Sequence, residues 1–460
     1  MCLKDFAKSL PHPVKQGLYY VYGSTPPRFR YGKVFCDTYD FLQKSQWWSE
    51  EKLEKYQFSK LKELLNFCSK YVPFYQGRWS DYGININDVH DFSDFARLPF
   101  TTKEDIIRSG GLMIPRVYNK DRLILTHTGG STDSKAFFYV TKDAIQKEKA
   151  FFARYWKWHN YNFMKDDCVI FRGSLQKSSR IIKKFGNYHI FSSFDVTTKR
   201  LKTYIEYIAK NKIPYVQGYP SFVYQLFKFA YENGLVSELT CINCVFCASE
   251  KLYNYQKDFI EKKFNVKAYD HYGHLESLAC FQQCEYNDSY HTISEYGYTE
   301  FDSVTNSNDL FEIICTGFNN LATPLIRYKT KDYAKLQKDV DCACGLKYPK
   351  TVREIEGRSG DVIVTPKGKI IGPSHLEFAE RGTQSFNDWQ IIQDNPNHLT
   401  LLIVPSPSYA ENDEKLFRER LFSRLDEKMG MDLQIVDKIK RPASQKKRLI
   451  ISKLETQGSA

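Results

Sequence analysis

The sequence lacks a hydrophobic run of the length that crosses a membrane. No window of its 460 residues approaches the roughly 18–20 consecutive apolar positions of a membrane-spanning helix. The first residues, "MCLKDFAKSLPHPVKQ", also lack the apolar stretch of a secretory signal. No internal repeat and no low-complexity segment occurs, which argues against a solenoid or a fibrous chain. We therefore expect a cytoplasmic protein without a transmembrane segment.

An iron–sulfur ligand pattern is also missing, although the chain contains 12 cysteines. In a cytoplasmic protein most cysteines are thiols, so a cluster of them indicates metal binding or packing rather than disulfides. The segment "CINCVFC" carries Cys241, Cys244 and Cys247, but it lacks the fourth spaced cysteine and the proline of iron–sulfur sites. We interpret this apolar segment as a packed strand.

Length and composition indicate a large folded protein. Single hydrophobic cores rarely grow beyond about 250–300 residues, so 460 residues predict two domains or more. The hydrophobic fraction of 42%, with 33 Phe and 32 Tyr, argues against long disordered segments. The net charge of +12 favours anionic partners such as nucleotide phosphates, an acidic saccharide, nucleic acid or a membrane face. Because basic residues alternate with acidic ones and no recognition motif occurs, we do not expect nucleic-acid binding.

Local patterns predict an α/β fold with a small additional domain. The first hundred residues have helical periodicity, and from Leu123 short apolar strands alternate with helices, which implies parallel βαβ units. After "REIEGRSGD" the pattern changes to hairpin-like strands, a helix near 374–381 and one charged helix. We predict a large domain over 1–357, with an N-terminal helical layer and parallel-rich sheets, and a small mobile α+β domain over 358–460.

A polar loop, "THTGGSTDSK", lies between two apolar stretches near the start of the large domain. Its adjacent glycines, Gly129 and Gly130, allow close backbone approach, and Thr128, Ser131 and Thr132 add hydroxyl groups. Such a loop suits a polyphosphate, which accepts many hydrogen bonds and tolerates little bulk. It is not a Walker loop, because the GxxxxGK[ST] pattern is absent. Taken alone, a surface hairpin turn explains the same residues at least as well.

Further motifs follow in a defined order. They are "TGGSTDSK", "GYPSFVYQL", "CASEKL", "YDHYGHLES", "PLIRYKTKDYA", "EGRSGDVI" and "KRPASQKKRLII". In this order they resemble the core motifs of adenylate-forming enzymes, and most closely the phenylacetate-CoA ligase-like branch that includes CapK proteins of capsular polysaccharide loci. The resemblance extends over nearly the whole chain. It implies that a carboxylate attacks the α-phosphorus of ATP, giving acyl-AMP and pyrophosphate, and that an amine or thiol then displaces AMP.

The resemblance also implies which residues bind ATP and which act in catalysis. The catalytic residues are Glu276, Arg358 and Lys446. The cofactor-binding residues are Thr128, Gly129, Gly130, Ser131, Thr132, Ser249, Glu250, Tyr272, Gly273, Asp332, Arg358 and Lys446.

Each of these groups has an implied task. Residues 128–132 hold the β- and γ-phosphates, Tyr272 stacks on the purine, and Asp332 accepts hydrogen bonds from the ribose hydroxyls. Glu276 binds Mg²⁺. Lys446 bridges the attacking carboxylate and the α-phosphate.

The chain departs from the family pattern at several of these positions. Asp133 and Lys331 stand where glycine is usual, Gly360 occupies the hinge, and Gln445 replaces glycine beside Lys446. These departures keep open a catalytically inactive scaffold that only binds adenylates. Because two further basic residues follow Lys446, a basic surface strand remains an alternative at this place.

Two pairs of possible metal ligands occur near the motifs, one of a cysteine and a histidine and one of two cysteines. "CEYNDSYH" supplies Cys284 and His291, and "CAC" supplies Cys342 and Cys344. Three thiolates and one imidazole match a closed, tetrahedral structural zinc site, although Cys280 is a competing ligand. The set is similar to a zinc site found in part of the phenylacetate-CoA ligase-like branch.

The leading hypothesis is an ATP- and Mg²⁺-dependent ligase that activates a small-molecule or saccharide carboxylic acid. It would transfer the acyl group to an amine or other acceptor, in surface polysaccharide biosynthesis. The alternative is an acyl-CoA ligase that uses CoA as a thiol acceptor. Arg172, Tyr219, His271 and His274 are candidates for the acid pocket, although a histidine packed in the core is the commoner state. The sequence does not predict the acid, the acceptor or the oligomeric state.

Overall fold

We describe the fold from a computed structural model. The described residues are 25, 27–127, 136–172, 182–193, 197–305, 307, 309–337, 342–358, 361–367, 370–371, 386–406, 409–425, 429–441 and 447–454. Several predicted features lie outside them: the phosphate loop 128–135, the helix near 374–381, Gly360, Gln445 and Lys446.

The helices in these ranges follow in chain order. They are α1 (Pro27–Tyr31), α2 (Lys33–Ser45), α3 (Glu50–Tyr71), α4 (Pro73–Asp81), α5 (Phe92–Phe95), α6 (Lys103–Ser109), α7 (Lys142–Trp158), α8 (Thr198–Asn211), α9 (Pro220–Glu232), α10 (Asn254–Phe264) and α11 (Glu411–Leu425). None of these described helices is both long and apolar enough to cross a membrane.

The strands of the same ranges are β1 (Ile124–His127), β2 (Phe137–Val140), β3 (Cys168–Arg172), β4 (Ile182–Phe185), β5 (Tyr188–Ser192), β6 (Tyr215–Gly218), β7 (Cys244–Ala248), β8 (Lys267–Gly273), β9 (Cys280–Gln283), β10 (Tyr290–Thr292), β11 (Gly297–Ser303), β12 (Phe311–Gly317), β13 (Tyr328–Leu336), β14 (Thr351–Arg358), β15 (Ile363–Val364), β16 (Ile370–Ile371), β17 (Phe386–Asn395), β18 (His398–Pro405), β19 (Gly430–Ile435) and β20 (Ile450–Ser452). Helices and strands thus occur in the α/β mixture that the sequence predicts.

The chain forms two compact units. The first comprises 1–48, 141–248 and 259–271, and the second comprises 49–140, 249–258 and 272–460. The predicted boundary after residue 357 divides the chain differently and stays a prediction.

The first unit contains the predicted parallel βαβ sheet. Its strand order is β8-β7-β6-β3-β5-β4, and every neighbouring pair is parallel except β4 with β5. Strand β7 contains the predicted packed strand of "CINCVFC", and Cys244 and Cys247 are buried in it. Such strands, buried on both faces, are continuous apolar runs, as the sequence of this segment indicates.

The second unit contains the N-terminal helices from α3 to α6 and an antiparallel sheet. Helix α3 begins at Ser49, whose Oγ accepts a hydrogen bond from the backbone N–H of Lys52. Its apolar face buries Leu61, Leu65 and Cys68 against α4, and this cluster also includes Phe318 and Ile326 from the sheet region. The antiparallel strands follow in the order β11-β12-β13-β14-β10-β9.

The C-terminal part of the second unit is a four-stranded mixed sheet with one helix. Its order is β19-β18-β17-β20, with β17 and β18 antiparallel and the outer pairs parallel. Trp389 on β17 packs edge-on against Phe417 of α11, at a centroid distance of 5.2 Å. Tyr253, from a distant part of the chain, belongs to the same buried cluster. The predicted α+β character of this region is therefore correct.

Two facing glycines place the segment after β8 on the antiparallel sheet. Gly297 and Gly317 are register partners on β11 and β12. A Cβ atom on Gly297 would lie 2.6 Å from the carbonyl oxygen of Leu278, and one on Gly317 would overlap the carbonyl oxygen of Ser277. Only glycine therefore allows the backbone at 277–278 to lie directly on these strands, and this contact fixes the position of the preceding Glu276.

We expect Gly317→Ala to lower the free energy of unfolding by about 1–3 kcal/mol, because the added methyl group forces the Ser277 backbone away from the sheet. Urea denaturation followed by circular dichroism measures the difference. The matched control is Gly77→Ala in α4, where nothing lies within 4 Å of the added Cβ. The control should raise stability by up to about 1 kcal/mol. Equal stability of the parent protein and Gly317→Ala would contradict the close approach.

Candidate functional site

A buried carboxylate, Asp332, lies at the centre of the candidate site. The register of the antiparallel sheet places Asp332 on β13 directly opposite Arg358 on β14. Nε of Arg358 lies 3.4 Å from Oδ1 of Asp332. Only 6% of the surface of Asp332 is exposed, so this charge is largely withdrawn from water. A buried charge of this kind requires partners that compensate for the lost hydration.

Tyr272 and His274 supply those partners at the second carboxylate oxygen. The hydroxyl of Tyr272 donates to Oδ2 of Asp332 at 2.8 Å, and Nε2 of His274 lies 3.2 Å from the same oxygen. The Tyr272 hydroxyl and His274 Nε2 are themselves 2.8 Å apart. These contacts leave Oδ1, next to the guanidinium, as the oxygen with remaining acceptor capacity.

The contacts determine the charge state of Asp332. Burial acts to raise the pKa of its carboxyl, but the hydrogen bond from His274 and the positive charge of Arg358 outweigh burial, so the pKa lies below its ordinary value. Because folding lowers this pKa, the ionised carboxylate of Asp332 stabilises the folded protein when the pH is above the ordinary pKa of aspartate. This stabilisation is lost as the pH falls through the lowered pKa of the folded protein. Asp332 is therefore ionised at neutral pH.

The segment that precedes α6 is attached to β13 by backbone hydrogen bonds. Thr101 N–H donates to the carbonyl of Arg327 at 3.0 Å, and Lys329 N–H donates to the carbonyl of Thr101 at 2.9 Å. In this segment, burial lowers the pKa of Lys103 and the charge of Arg358 lowers it further, while the charges of Glu104 and Glu276 act in the opposite direction. Arg358 thus lies beside Asp332, and the charge of the buried Glu276 acts on both Arg358 and Lys103. Such a group suits an anion with an accompanying cation.

Four residues around this cluster adopt the left-handed backbone conformation although none is glycine. Their φ angles are 72° for Ser249, 58° for Ser277, 48° for Arg327 and 60° for Lys331. The conformation costs roughly 1–2 kcal/mol for a residue with a Cβ atom. Strained backbone of this kind concentrates at functional sites, where the surrounding structure holds it in place. At Lys331 the backbone keeps the conformation that glycine adopts freely.

The C-terminal motif contributes Lys447 and Arg448 to the same unit. The backbone N–H of Lys447 donates to Oε1 of Glu250 at 3.0 Å, and Nζ of Lys447 lies 2.8 Å from Oδ1 of Asp388. Arg448 forms an ion pair with Asp361. Both basic residues that follow Lys446 are therefore paired with carboxylates, and the catalytic role of Lys446 itself stays a prediction.

The predicted thiol and imidazole ligands form a second cluster. Cys284 follows β9, His291 lies on β10, and Cys342 and Cys344 precede β14. Their four ligand atoms lie within 4.8 Å of one another. Sγ of Cys284 is 3.4 Å from Sγ of Cys342, and Sγ of Cys344 is 3.3 Å from Nε2 of His291. The spacing predicted from sequence therefore brings all four groups together.

Comparison with known proteins identifies similar proteins along most of the chain. The CapK C-terminal domain family matches residues 363–453. Protein CapK of Staphylococcus aureus is 23% identical over 407 residues, covering 87% of this chain and 89% of its own length. The phenylacetate-coenzyme A ligase of Pseudomonas putida is 22% identical over 345 residues, covering 72% of this chain and 75% of its own.

Among solved structures, 2-hydroxyisobutyryl-CoA ligase in the postadenylation state has the same fold, with a TM-score of 0.71. The two proteins are 19% identical, and the match covers 89% of this chain and 91% of that one. These similarities, which extend over most of the chain, support the CapK and phenylacetate-CoA ligase-like branch of the adenylate-forming ligases.

The residues predicted for the nucleotide lie mostly in the second unit. Tyr272, Glu276, Asp332 and Arg358 converge there, while Gly273 is exposed at the end of β8 and Ser249 is exposed after β7. Their contacts with ATP stay predictions.

The four residues predicted for the acid pocket have different surroundings. His274 contacts Asp332 and so belongs to the carboxylate cluster. In the first unit, the ring of His271 packs 4.5 Å from that of Phe152, and Tyr219 precedes α9 as its N-cap residue. The side chain of Arg172 lies outside the described residues. A role in acid binding stays a prediction for each of them.

The thiol cluster fits zinc. Zinc bonds to sulfur at about 2.3 Å in a tetrahedron, which requires ligand atoms about 3.8 Å apart, close to the spacing observed here. Backbone N–H groups of Tyr286 and Leu346 point at Sγ of Cys284 and Cys344, each at 3.5 Å. Hydrogen-bond donors around the sulfur atoms are typical of thiolate ligands. Cys280, the competing ligand, is outside the cluster and accepts a hydrogen bond from Gln282.

A buried ion network was not anticipated from sequence. Glu356 on β14 is fully buried and lies 2.6 Å from Nζ of Lys335 and 3.4 Å from Nζ of Lys251, which also contacts Glu354 at 2.9 Å. Alternating glutamates in "REIEGR", on a strand with buried neighbours, are the signal that would have indicated it. The network ties the "CASEKL" motif to the strand that ends at Arg358.

We expect the purified protein, prepared without chelator, to contain about one zinc ion per chain, because the four donors match a closed zinc site. Inductively coupled plasma mass spectrometry measures the metal content. Cys284→Ser should lose most of the zinc, and the matched control Cys280→Ser should retain it. A parent protein with far less than one equivalent would exclude the zinc site.

Proposed function

We propose that this protein is an ATP-dependent ligase that activates a carboxylic acid. In the first step a carboxylate oxygen attacks the α-phosphorus of ATP, and the bond to the β-phosphate oxygen breaks, so pyrophosphate leaves with the electron pair. The product is a mixed anhydride, acyl-AMP. In the second step a nucleophile attacks the acyl carbon, AMP leaves, and the proton of the nucleophile passes to a base.

The observation that carries this proposal is the ionised, buried carboxylate of Asp332. Ribose hydroxyls are hydrogen-bond donors, and a carboxylate of fixed orientation accepts from two neighbouring hydroxyls. Tyr272, His274 and Arg358 hold Asp332 in one orientation and keep its pKa low. Preorganisation of this kind removes the cost of ordering the site when the nucleotide binds.

The groups beside Asp332 suit the polyphosphate. Lys103 and Arg358 supply positive charge, and the carboxylate of Glu276 is a hard oxygen ligand of the type that Mg²⁺ prefers. Mg²⁺ bound with ATP would reduce the charge repulsion that the attacking carboxylate meets at the α-phosphate. Lys446 would act on the same two groups, and the phosphate loop 128–132 would hold the β- and γ-phosphates.

We propose further that the acceptor is an amine or another non-CoA nucleophile and that the reaction serves surface polysaccharide synthesis in the cytoplasm. The match to protein CapK along 87% of this chain supports this assignment, and the net charge of +12 suits an acidic saccharide substrate. CoA ligation is the second candidate, because two of the similar proteins are CoA ligases and CoA is also anionic.

The zinc ion that we propose for the thiol cluster would be structural. Four protein ligands complete its coordination, so no position is left for a substrate. The cluster joins β9, β10 and the segment before β14. Strand β14 itself ends at Arg358. The ion would therefore stabilise the strands next to the nucleotide.

We expect pyrophosphate release from ATP and Mg²⁺ with one class of acid in a panel of uronic acids, amino acids, aryl acids and fatty acids. A coupled phosphate assay, run for each acid with and without CoA, measures the rate. Release that does not depend on CoA, without thioester formation, supports the leading proposal, while a thioester product supports the CoA ligase. ATP binding without release for any acid would indicate an inactive adenylate-binding scaffold.

We expect Asp332→Asn to weaken ATP binding about tenfold to a hundredfold, because charge-assisted hydrogen bonds contribute about 1.5–3 kcal/mol. Isothermal titration calorimetry with Mg²⁺-ATP measures the dissociation constant. The matched control Asp432→Asn removes a carboxylate that is 72% exposed on β19 and should leave binding unchanged. An unchanged dissociation constant in Asp332→Asn would exclude the ribose contact.

A further inference from the structure

Large apolar side chains are exposed in one short part of the second unit. In the residues that the structure describes, fourteen such side chains are exposed, and six of them lie between positions 107 and 137. They are Ile107, Leu112, Val117, Ile124, Leu125 and Phe137. Single exposed apolar residues are normal, but a contiguous group of them marks an interaction surface. We call the exposed side chains of 107–125, together with Phe137, the hairpin surface.

The hairpin of β1 and β2 presents two of these side chains on one face. Leu125 is the register partner of Tyr139, and His127 is the register partner of Phe137. Because successive side chains of a strand point to opposite faces, these four residues share one face of the hairpin. Phe138 lies on the opposite face and is buried. The face with Leu125 and Phe137 therefore points away from the core, and these two residues are 53% and 54% exposed.

The exposed residues before the hairpin surround the same buried cluster. Three residues of one core cluster each stand next to an exposed apolar residue in the chain. These pairs are Ile106 with Ile107, Met113 with Leu112, and Ala136 with Phe137. Helix α6 also contacts β2. The exposed members of the pairs therefore lie around one buried cluster, on α6, on the loop that follows it and on β2.

The loop between α6 and β1 is fixed to the helices beneath it. The carbonyl of Leu112 accepts a hydrogen bond from the N–H of Phe74 in α4 at 3.0 Å. The N–H of Arg116 donates to the carbonyl of Tyr71 at the end of α3, at 2.9 Å. A backbone that is already ordered loses less conformational freedom when a partner binds. The hairpin surface is therefore preformed.

The same part of the chain is basic. Positions 106–127 contain four basic residues and one acidic residue, Asp121, which gives a net charge of +3. The four basic residues are exposed, and they are Arg108, Arg116, Lys120 and Arg122. Nζ of Lys120 lies 5.4 Å from the ring centroid of Tyr139. A cation thus stands at the apolar face of the hairpin.

This combination fits an anionic membrane face better than a protein partner. The centre of a protein–protein interface is depleted of charged residues. Here the cations alternate along the chain with the exposed apolar side chains. At a membrane both kinds of residue contribute, because apolar side chains enter the boundary between headgroups and acyl chains while Lys and Arg attract anionic lipids. Long basic side chains also place their aliphatic stems along the apolar layer and keep their charge at the headgroups.

We propose that the hairpin surface docks this protein on an anionic membrane face. None of the described helices is able to cross a bilayer, so the contact is peripheral. The net charge of +12 favours anionic partners in general, and the hairpin surface selects a partner that offers both negative headgroups and an apolar layer. The inference is independent of the proposed ligase activity, which concerns the carboxylate cluster around Asp332.

The test is co-sedimentation of the whole 460-residue chain with lipid vesicles. One vesicle type consists of phosphatidylcholine alone, and the other also contains about 30 mol% phosphatidylglycerol as the anionic lipid. We expect binding to the anionic vesicles at about 0.1 M salt and loss of most of it at about 1 M, because salt screens the attraction. Binding to neutral vesicles should be about tenfold weaker. Absence of binding to anionic vesicles, or equal binding to both types, would overturn the proposal.

Charge variants test the cations without altering the core. Lys120→Gln combined with Arg122→Gln should weaken binding to anionic vesicles about twenty-five-fold, because each cation at such a surface contributes about fivefold. The matched control combines Lys202→Gln with Lys210→Gln, which removes two exposed lysines of α8. It should change binding by less than about twofold, because charges farther from the lipid are screened. Equal losses in the two double variants would show that only the total charge matters and would reject the hairpin surface.

An apolar variant tests the second component of the surface. Leu125→Ser should weaken binding about fivefold, because less apolar area enters the headgroup boundary. The matched control Ile435→Ser changes a side chain that is 58% exposed on β19 and should leave binding unchanged. Circular dichroism checks that both variants are folded. Unchanged binding in a folded Leu125→Ser variant contradicts the proposal.

A second copy of the chain is the other occupant that the experiment distinguishes. Sedimentation equilibrium without vesicles measures the mass of the parent protein and of Leu125→Ser. A parent with the mass of two chains, reduced to one chain in Leu125→Ser, would make the hairpin surface a dimer interface and overturn membrane docking. The same mass in both proteins, together with vesicle binding by the parent, supports membrane docking.

Discussion

The negative charge of Asp332 is the constraint on which the rest of the site depends. An ionised carboxylate that is 6% exposed must receive hydrogen bonds and a counter-charge from groups that stay in place. Tyr272 and His274 come from the end of β8, and Arg358 comes from the register partner on β14. The charge of Asp332 is therefore compensated only when three features are in place: the register of β13 with β14, the end of β8 and the close approach at Gly317. Removing any of the three partners leaves a buried charge with incomplete compensation.

The same principle organises two further places in the second unit. Glu356 is fully buried between Lys335 and Lys251, and Asp388 receives Arg441 and Lys447. In each case the partners come from segments far apart in the chain, so each buried carboxylate fixes the relative position of several motifs. Burying such ion pairs adds little to stability compared with apolar packing, but breaking one of them is costly. Their value here is geometric, because they align "CASEKL", β14 and the C-terminal motif.

The sequence alone predicts most of the fold and part of the site. The α/β class, the strands β3, β7 and β8 and the thiol cluster follow from local periodicity, motif order and ligand spacing. The contact between His274 and Asp332, the network at Glu356 and the attachment at Asp388 do not. They depend on strand register and on partners distant in the chain, such as Asp332, which is 58 positions from His274, and local patterns carry no information about such partners. Contacts that depend on the tertiary fold are therefore those that the sequence alone does not predict.

Lys331 is a non-glycine residue with a left-handed backbone conformation close to the candidate site. The backbone there has a φ of 60°, which glycine adopts without strain, and the lysine costs roughly 1–2 kcal/mol in that conformation. Replacement by glycine is a single step that would relieve this strain. Lys331 instead places its ammonium group 3.6 Å from Glu104, one residue from Lys103. The turn therefore carries a positive charge next to Glu104 at the expense of backbone strain, whereas glycine at the same place would give a relaxed turn without that charge.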